Sequence, residues 1–145
     1  MGDYTERFSE GVELLQKIDP ISVSVQTNGA AYVPIAKFYR LVAKFNTGVI
    51  TATGTVTFRV AQAQDAAGTG AKVLKTDVGL VATTDNNKAR WIEILGEEFD
   101  IANKFAFARL EIVAATAAGV YYAELLGYTE RFQPAVINAA LTVVP

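Results

Sequence analysis

Glu97, Glu98 and Asp100 stand almost side by side in the sequence. Paired carboxylates carry out glycoside hydrolysis, and acidic groups also hold cations. Either task needs carboxyls held at a set separation, and nothing in this stretch supplies one. The run reads as a solvated connection between strands. Gly68-Thr69-Gly70-Ala71-Lys72 departs from a phosphate-cradling loop, because Ala71 separates the lysine from the glycine and Val73, not Ser or Thr, follows. Asp85-Asn86-Asn87 lacks the glycine and terminal glutamate of a calcium loop and reads as a turn. The chain contains no histidine and no cysteine. That removes the commonest general base, the thiolate nucleophile and the usual zinc ligands. Serine–histidine and cysteine–histidine catalysis are excluded. The sequence therefore predicts no enzyme, no catalytic residue, no cofactor and no metal site.

Aromatic and arginine side chains remain. Phe105 and Phe107 share a strand face, whereas Tyr121 and Tyr122 point to opposite faces. With Trp91 they could form a stacking platform for sugars or single strands, but aromatics more often fill cores and subunit interfaces. Arg40, Arg59, Arg90 and Arg109 each lie in an apolar strand. Two readings stay open: they discourage edge pairing, or they make bidentate pairs with carboxylates across an interface.

These residues need a framework, and composition sets its limits. A chain of 145 residues suits one domain. It is 51% apolar and 19% charged, which is ample for a packed core and unlike a disordered chain. Thirteen basic and fifteen acidic residues leave a net charge of −2 without a basic run, so nucleic acid is not an expected partner. The start of the sequence lacks the basic-then-apolar pattern of a signal peptide. The uncharged stretch that follows Glu111 is too short for a bilayer span and contains Gly119. No membrane association is expected, and the protein is expected to be soluble.

Residues 3–18 are the one helix candidate. Phe8, Val12 and Leu15 fall on one helical face near Ile18, although Gly11 costs about 1 kcal/mol relative to alanine. Asp19-Pro20 stops this segment. From residue 21 the period becomes two. Ile21, Val23 and Val25 alternate with serines, and Asn28-Gly29 marks a turn. Tyr39, Leu41, Ala43 and Phe45 share one face of a strand, with Arg40 and Lys44 on the other. Val56, Phe58 and Val60 alternate with Thr55, Thr57 and Arg59. Residues 64–72 read as a flexible loop, 73–81 as a short apolar segment and 89–95 as a strand. Two further strands, 105–114 and 120–127, read as a hairpin turning near Thr116–Gly119. Seven or eight short strands at this spacing argue an all-β, single-domain β-sandwich, jelly-roll-like. The expected organisation is an N-terminal arm at 1–20, the sandwich at 21–133 and an apolar tail at 134–145. The tail is either a final strand or a docking arm.

Tyr-Thr-Glu-Arg-Phe occurs twice, at 4–8 and 128–132, near the two ends of the sequence. The flanking residues differ, so the pair is either a coincidence or a shared contact motif. The predicted partner-binding residues are Tyr4, Arg7, Phe8, Val12, Leu15, Tyr128, Arg131, Phe132, Val136 and Ile137. In that reading Arg7 and Arg131 meet carboxylates, while Phe8 and Phe132 fill apolar pockets.

Residues 37–135 also follow a familiar order. Phe38-Tyr39-Arg40-Leu41-Val42-Ala43 opens a strand. A Thr-Gly turn leads to Gly54-Thr55-Val56-Thr57-Phe58-Arg59-Val60-Ala61-Gln62. An Ala/Gly loop, an acidic connector and Phe107-Ala108-Arg109-Leu110 follow, and the segment closes with Gly127-Tyr128-Thr129-Glu130-Arg131-Phe132-Gln133-Pro134. This order resembles the capsid decoration, or cement, proteins of tailed bacteriophages. The resemblance implies a non-enzymatic virion protein, made in the host cytoplasm, on the outer capsid surface. It implies two partners: the major capsid protein, whose subunits it would bridge, and further copies of itself, as a dimer or trimer. Another virion component, such as a tail or head-completion protein, and a carbohydrate-binding sandwich are the alternatives.

Overall fold

The computed structural model describes residues 11–77, 79–82 and 84–130, apart from the side chains of 129 and 130. Ten strands follow in order: β1 (Val12–Val23), β2 (Gln26–Asn28), β3 (Val33–Pro34), β4 (Phe38–Ile50), β5 (Thr55–Ala63), β6 (Lys72–Thr76), β7 (Leu80–Val81), β8 (Ala89–Leu95), β9 (Phe107–Ala115) and β10 (Gly119–Glu130). All pairings are antiparallel. One sheet runs β1-β10-β4-β8. The other runs β2-β9-β5-β6, with β3 also on β9 and β7 also on β5. The sheets pack as a β-sandwich, the expected all-β class.

Alternation explains the layering. Val56, Phe58 and Val60 of β5 and Ala108, Leu110 and Ile112 of β9 face Leu41, Ala43, Phe45, Ala123 and Leu125 of the other sheet. Phe45 stacks on Phe58 across the interior with ring centroids 4.6 Å apart, and Phe58 meets Tyr121 edge-on at 6.0 Å. Such aromatic contacts are worth about 0.5–1.5 kcal/mol each beyond the area they bury.

The helix expected over 3–18 is strand from Val12 onward; the rest of that expectation, like residues 131–145, lies outside the described residues. A register shift between Leu14 and Gln16 accounts for the misreading. Before it, Val12 and Leu14 pack with Leu126 in a small cluster separate from the interior. After it, Ile18 belongs to the interior and Leu15 packs against it. The bulge breaks the period of two and leaves Val12, Leu15 and Ile18 spaced like a helical stripe. Pro20 does not end the segment either. β1 is an edge strand, where a missing N–H is tolerated, and a second register shift between Ile18 and Ile21 absorbs the ring.

Three further expectations change. β9 and β10 form no hairpin: β9 lies in one sheet and β10 in the other, so the turn at 116–118 crosses the sandwich. Tyr39 is 54% exposed, and Phe38 takes the core position instead. Gly127 makes room for the Phe38 ring, since a Cβ there would sit 2.6 Å from it. The loop at 64–72 is tied internally, because Asp65 accepts from the Thr69 backbone N–H at 3.0 Å and from its hydroxyl at 2.5 Å.

A buried polar side chain also links the sheets. Gln16, only 7% exposed, accepts from the Leu110 N–H at 2.8 Å and donates to the Ala31 carbonyl at 2.8 Å. β2 leaves β9 at Asn28 and β3 rejoins it at Val33, so Leu110 lies in the gap between them. Gln16 supplies the acceptor that a neighbouring strand would otherwise provide. Gly29 allows this, because a Cβ there would fall 2.0 Å from Gln16 Oε1.

Candidate interaction surface

The outer face of the β1-β10-β4-β8 sheet is ordered in rows set by strand register. One row runs Val12, Tyr128, Arg40, Leu95; the next runs Leu14, Leu126, Val42, Glu93; a third runs Lys17, Glu124, Lys44, Trp91. The first two rows hold an apolar cluster of Val12, Leu14 and Leu126 with Val42 beside it, all buried, and a half-buried Tyr128 packed against it. Trp91 stands at the β8 side of the third row and is 67% exposed. Between them lies a depression of about 300 Å³ lined by Arg40, Val42, Trp91, Glu93 and Tyr128.

Charged pairs frame this face. Arg40 Nε lies 2.9 Å from Glu93. Lys44 Nζ lies 3.7 Å from Glu124 and 5.4 Å from the centre of the Trp91 ring. The Tyr122 hydroxyl donates to Glu124. Burial, followed by the bond and charge of Glu124, pushes the Tyr122 hydroxyl well above its ordinary range, and burial also raises Tyr128. Both phenols are thus neutral, amphipathic surfaces at physiological pH. An exposed tryptophan beside a half-buried tyrosine and a paired arginine is the composition of an interface anchor.

Of the predicted contact residues, the structure brings Val12 and Tyr128 together as direct register partners, and it turns Leu15 toward the interior. Tyr4, Arg7, Phe8, Arg131, Phe132, Val136 and Ile137 lie outside the described residues. The Val12–Tyr128 pairing places the start of β1 and the end of β10 side by side, at one end of one sheet. Sequence reasoning missed Trp91 as the most exposed aromatic of this face and Arg40–Glu93 as its frame. A strict alternation count over residues 89–95 already places Trp91 opposite Ile92 and Ile94.

The acidic run is structural. Glu98 accepts from Lys75 Nζ at 2.7 Å and from the Leu95 N–H at 2.7 Å, which hold its carboxyl below the usual glutamate range. Lys75 also donates to the Glu93 carbonyl at 2.7 Å. Together they occupy two backbone groups near the end of β8, the Glu93 carbonyl and the Leu95 N–H, which hinders strand addition there. Asp100 is lowered by Lys72 and then by Asn103. Among the described residues no group of three or more acidic side chains could hold a metal ion.

The four arginines meet carboxylates within the chain. Besides Arg40, Arg59 Nε lies 2.5 Å and an Arg109 terminal nitrogen 2.8 Å from Glu111, and Arg90 lies 3.6 Å from Asp77. Only Arg90 is on an edge strand, so discouraging edge pairing does not explain the other three. Tyr121 is wholly buried, which removes it from any sugar-stacking surface. Among the described residues no helix is long and apolar enough to cross a membrane.

No family model and no curated protein sequence matches the chain. Three solved structures are similar in part. A chain of infectious bursal disease virus, Gt strain, gives a TM-score of 0.49 at 13% identity, covering 81% of this chain and 33% of that one. This chain thus spans about a third of that viral protein. The cowpea mosaic virus top component, a naturally occurring empty particle, gives 0.45 at 11% identity, covering 94% and 97%. The disulfide-linked pili of Bacillus endospore appendages give 0.41 at 17% identity, covering 88% and 98%. These likenesses are too loose to decide topology or role.

Proposed function

We propose that the chain is a non-enzymatic virion protein that binds the outer surface of a tailed-phage capsid and bridges major capsid protein subunits. The observation that carries the reading is the pairing of Val12 with Tyr128. It places the start of β1 and the end of β10, where the second Tyr-Thr-Glu-Arg-Phe copy begins, beside a face bearing Trp91, Tyr128 and the Arg40–Glu93 pair. Such a sandwich acts as a rigid base. Its terminal segments add main-chain bonds to exposed sheet edges of the capsid, and the exposed Trp91 supplies an anchor. Many copies on one shell convert modest contacts into lasting occupancy. Self-association as a dimer or trimer belongs to this reading.

The test is co-sedimentation of the full chain with expanded, empty capsids. Saturation at a fixed copy number is expected, weakened by Phe8→Ala, Phe132→Ala and Trp91→Ala. Absence of saturable binding sinks the proposal. Removal of residues 1–18 would take away more than half of β1 together with Gln16, so the terminal segment is tested by a shorter deletion. Removal of residues 1–10 leaves every described strand intact.

A further inference from the structure

We propose that the outer face of the second sheet carries a binding site for a single carboxylate presented by a partner protein. The site is a cleft of about 220 Å³ whose lining includes Tyr32, Arg59, Ala61, Lys72, Arg109 and Glu111. Ala61 and Ala63, small residues on the outward side of β5, let Tyr32 lie flat on the sheet next to Phe107. Arg109 lies over the Tyr32 ring, its guanidinium carbon 4.3 Å from the ring centre. Glu111, 4% exposed, fixes both guanidinium groups by accepting from Arg59 Nε at 2.5 Å and from Arg109 at 2.8 Å.

The charges do not cancel. Three cations, Arg59, Lys72 and Arg109, surround the cleft. Glu111 answers one of them, and Lys72 is answered by Asp100 at 2.6 Å. One positive charge is left, shared by two guanidiniums that are largely withdrawn from water. Arg109 Nε is buried and has no hydrogen-bond partner among the described residues. A half-buried surplus charge is costly, and a monoanion seated in the cleft offsets it. A planar carboxylate fits the guanidinium fork, and its single charge matches the surplus where a phosphate dianion would exceed it. The inference stands apart from the capsid reading, since it needs only a partner that offers an Asp or Glu side chain or a free chain end.

The side-chain Nε–H resonances of Arg109 and Arg59 report the site directly. The folded full chain is titrated at constant ionic strength with N-acetyl-aspartate amide, which mimics a side chain, and with N-acetylalanine, which mimics a chain end. A saturable shift of the Arg109 resonance with at least one probe is expected, and the tighter probe identifies the source. Arg109→Gln should lose the saturation. Arg109→Lys should weaken it about ten-fold, the loss expected when one charge-assisted hydrogen bond goes. Lys88→Gln, a distant surface change, should bind as the unaltered chain does. Shifts that rise linearly with both probes, equal shifts with chloride, or unchanged saturation in Arg109→Gln overturn the proposal. Should Arg109→Gln fail to fold, the titration of the unaltered chain still decides.

Discussion

Replacing Gln16 with leucine keeps its volume and removes both of its bonds, so the change isolates what the bridge contributes. The Leu110 N–H then points into a closed interior, where Leu110 itself has no exposed surface. An orphaned buried donor costs about 1–3 kcal/mol. The Ala31 carbonyl is nearer the surface and can turn to water, so its lost bond adds only about 0.5–1.5 kcal/mol. Gln16→Leu should therefore lower stability by about 2–4 kcal/mol in urea denaturation, with the midpoint shifted and the slope unchanged. Coupling gives a sharper test. Gly29→Ala alone drives a methyl into Gln16 Oε1 and should be strongly destabilising. In the Gln16→Ala background the same methyl enters vacated space, so the two losses should fall well short of additive. A Gln16→Leu protein within about 0.5 kcal/mol of the unaltered chain, or additive losses, would refute the bridging account.

Other outcomes follow from single features. Tyr121→Phe removes a buried hydroxyl that has no hydrogen-bond partner among the described residues, so stability should hold or rise by up to about 1 kcal/mol, and a clear loss in thermal melts would contradict this. Thr53 and Thr116 hold φ of 69° and 72°. Glycine at either position should stabilise the fold by about 0.5–1 kcal/mol, the strain relieved less the added chain entropy, measured by urea midpoint. Glu98 has a folded pKa below its ordinary 4.5, so its contribution is complete above 4.5 and lost as pH falls through the folded value; Glu98→Gln should flatten that acid limb. Trp91→Ala, at a largely exposed site, should leave the melting temperature nearly unchanged while weakening capsid co-sedimentation.

The sequence is most legible where local pattern and final environment agree. β8 matches its expected span and β5 its expected start, because Val56, Phe58, Val60, Ile92 and Ile94 alternate inward as the period of two requires. β1 is illegible for a physical reason. Its bulge moves Leu15 and Gln16 across faces, and a buried glutamine at a strand-interior position mimics the polar side of a helix. The β9–β10 turn misleads because a tight turn between two apolar strands looks the same whether it closes a hairpin or crosses a sandwich. The arginines were visible, but Glu111 is 52 residues from Arg59, and only the fold brings the two together. The outer-face site was half legible: Val12 and Tyr128 were chosen for their place near the chain ends, whereas Trp91 required knowing which side of the sheet is covered.

The pairing of Val12 with Tyr128 carries a mechanical consequence. In an antiparallel pair the ladder bonds run across the strands. Opposed pulls applied at Val12 and at Tyr128 load those bonds one at a time, like a zip opened from its end. Pulls in the same direction load β1 and β10 together along their length. If the terminal segments are tethers, anchoring both to one rigid body protects the domain from a swelling shell, whereas anchoring them to two bodies that move apart would peel it open.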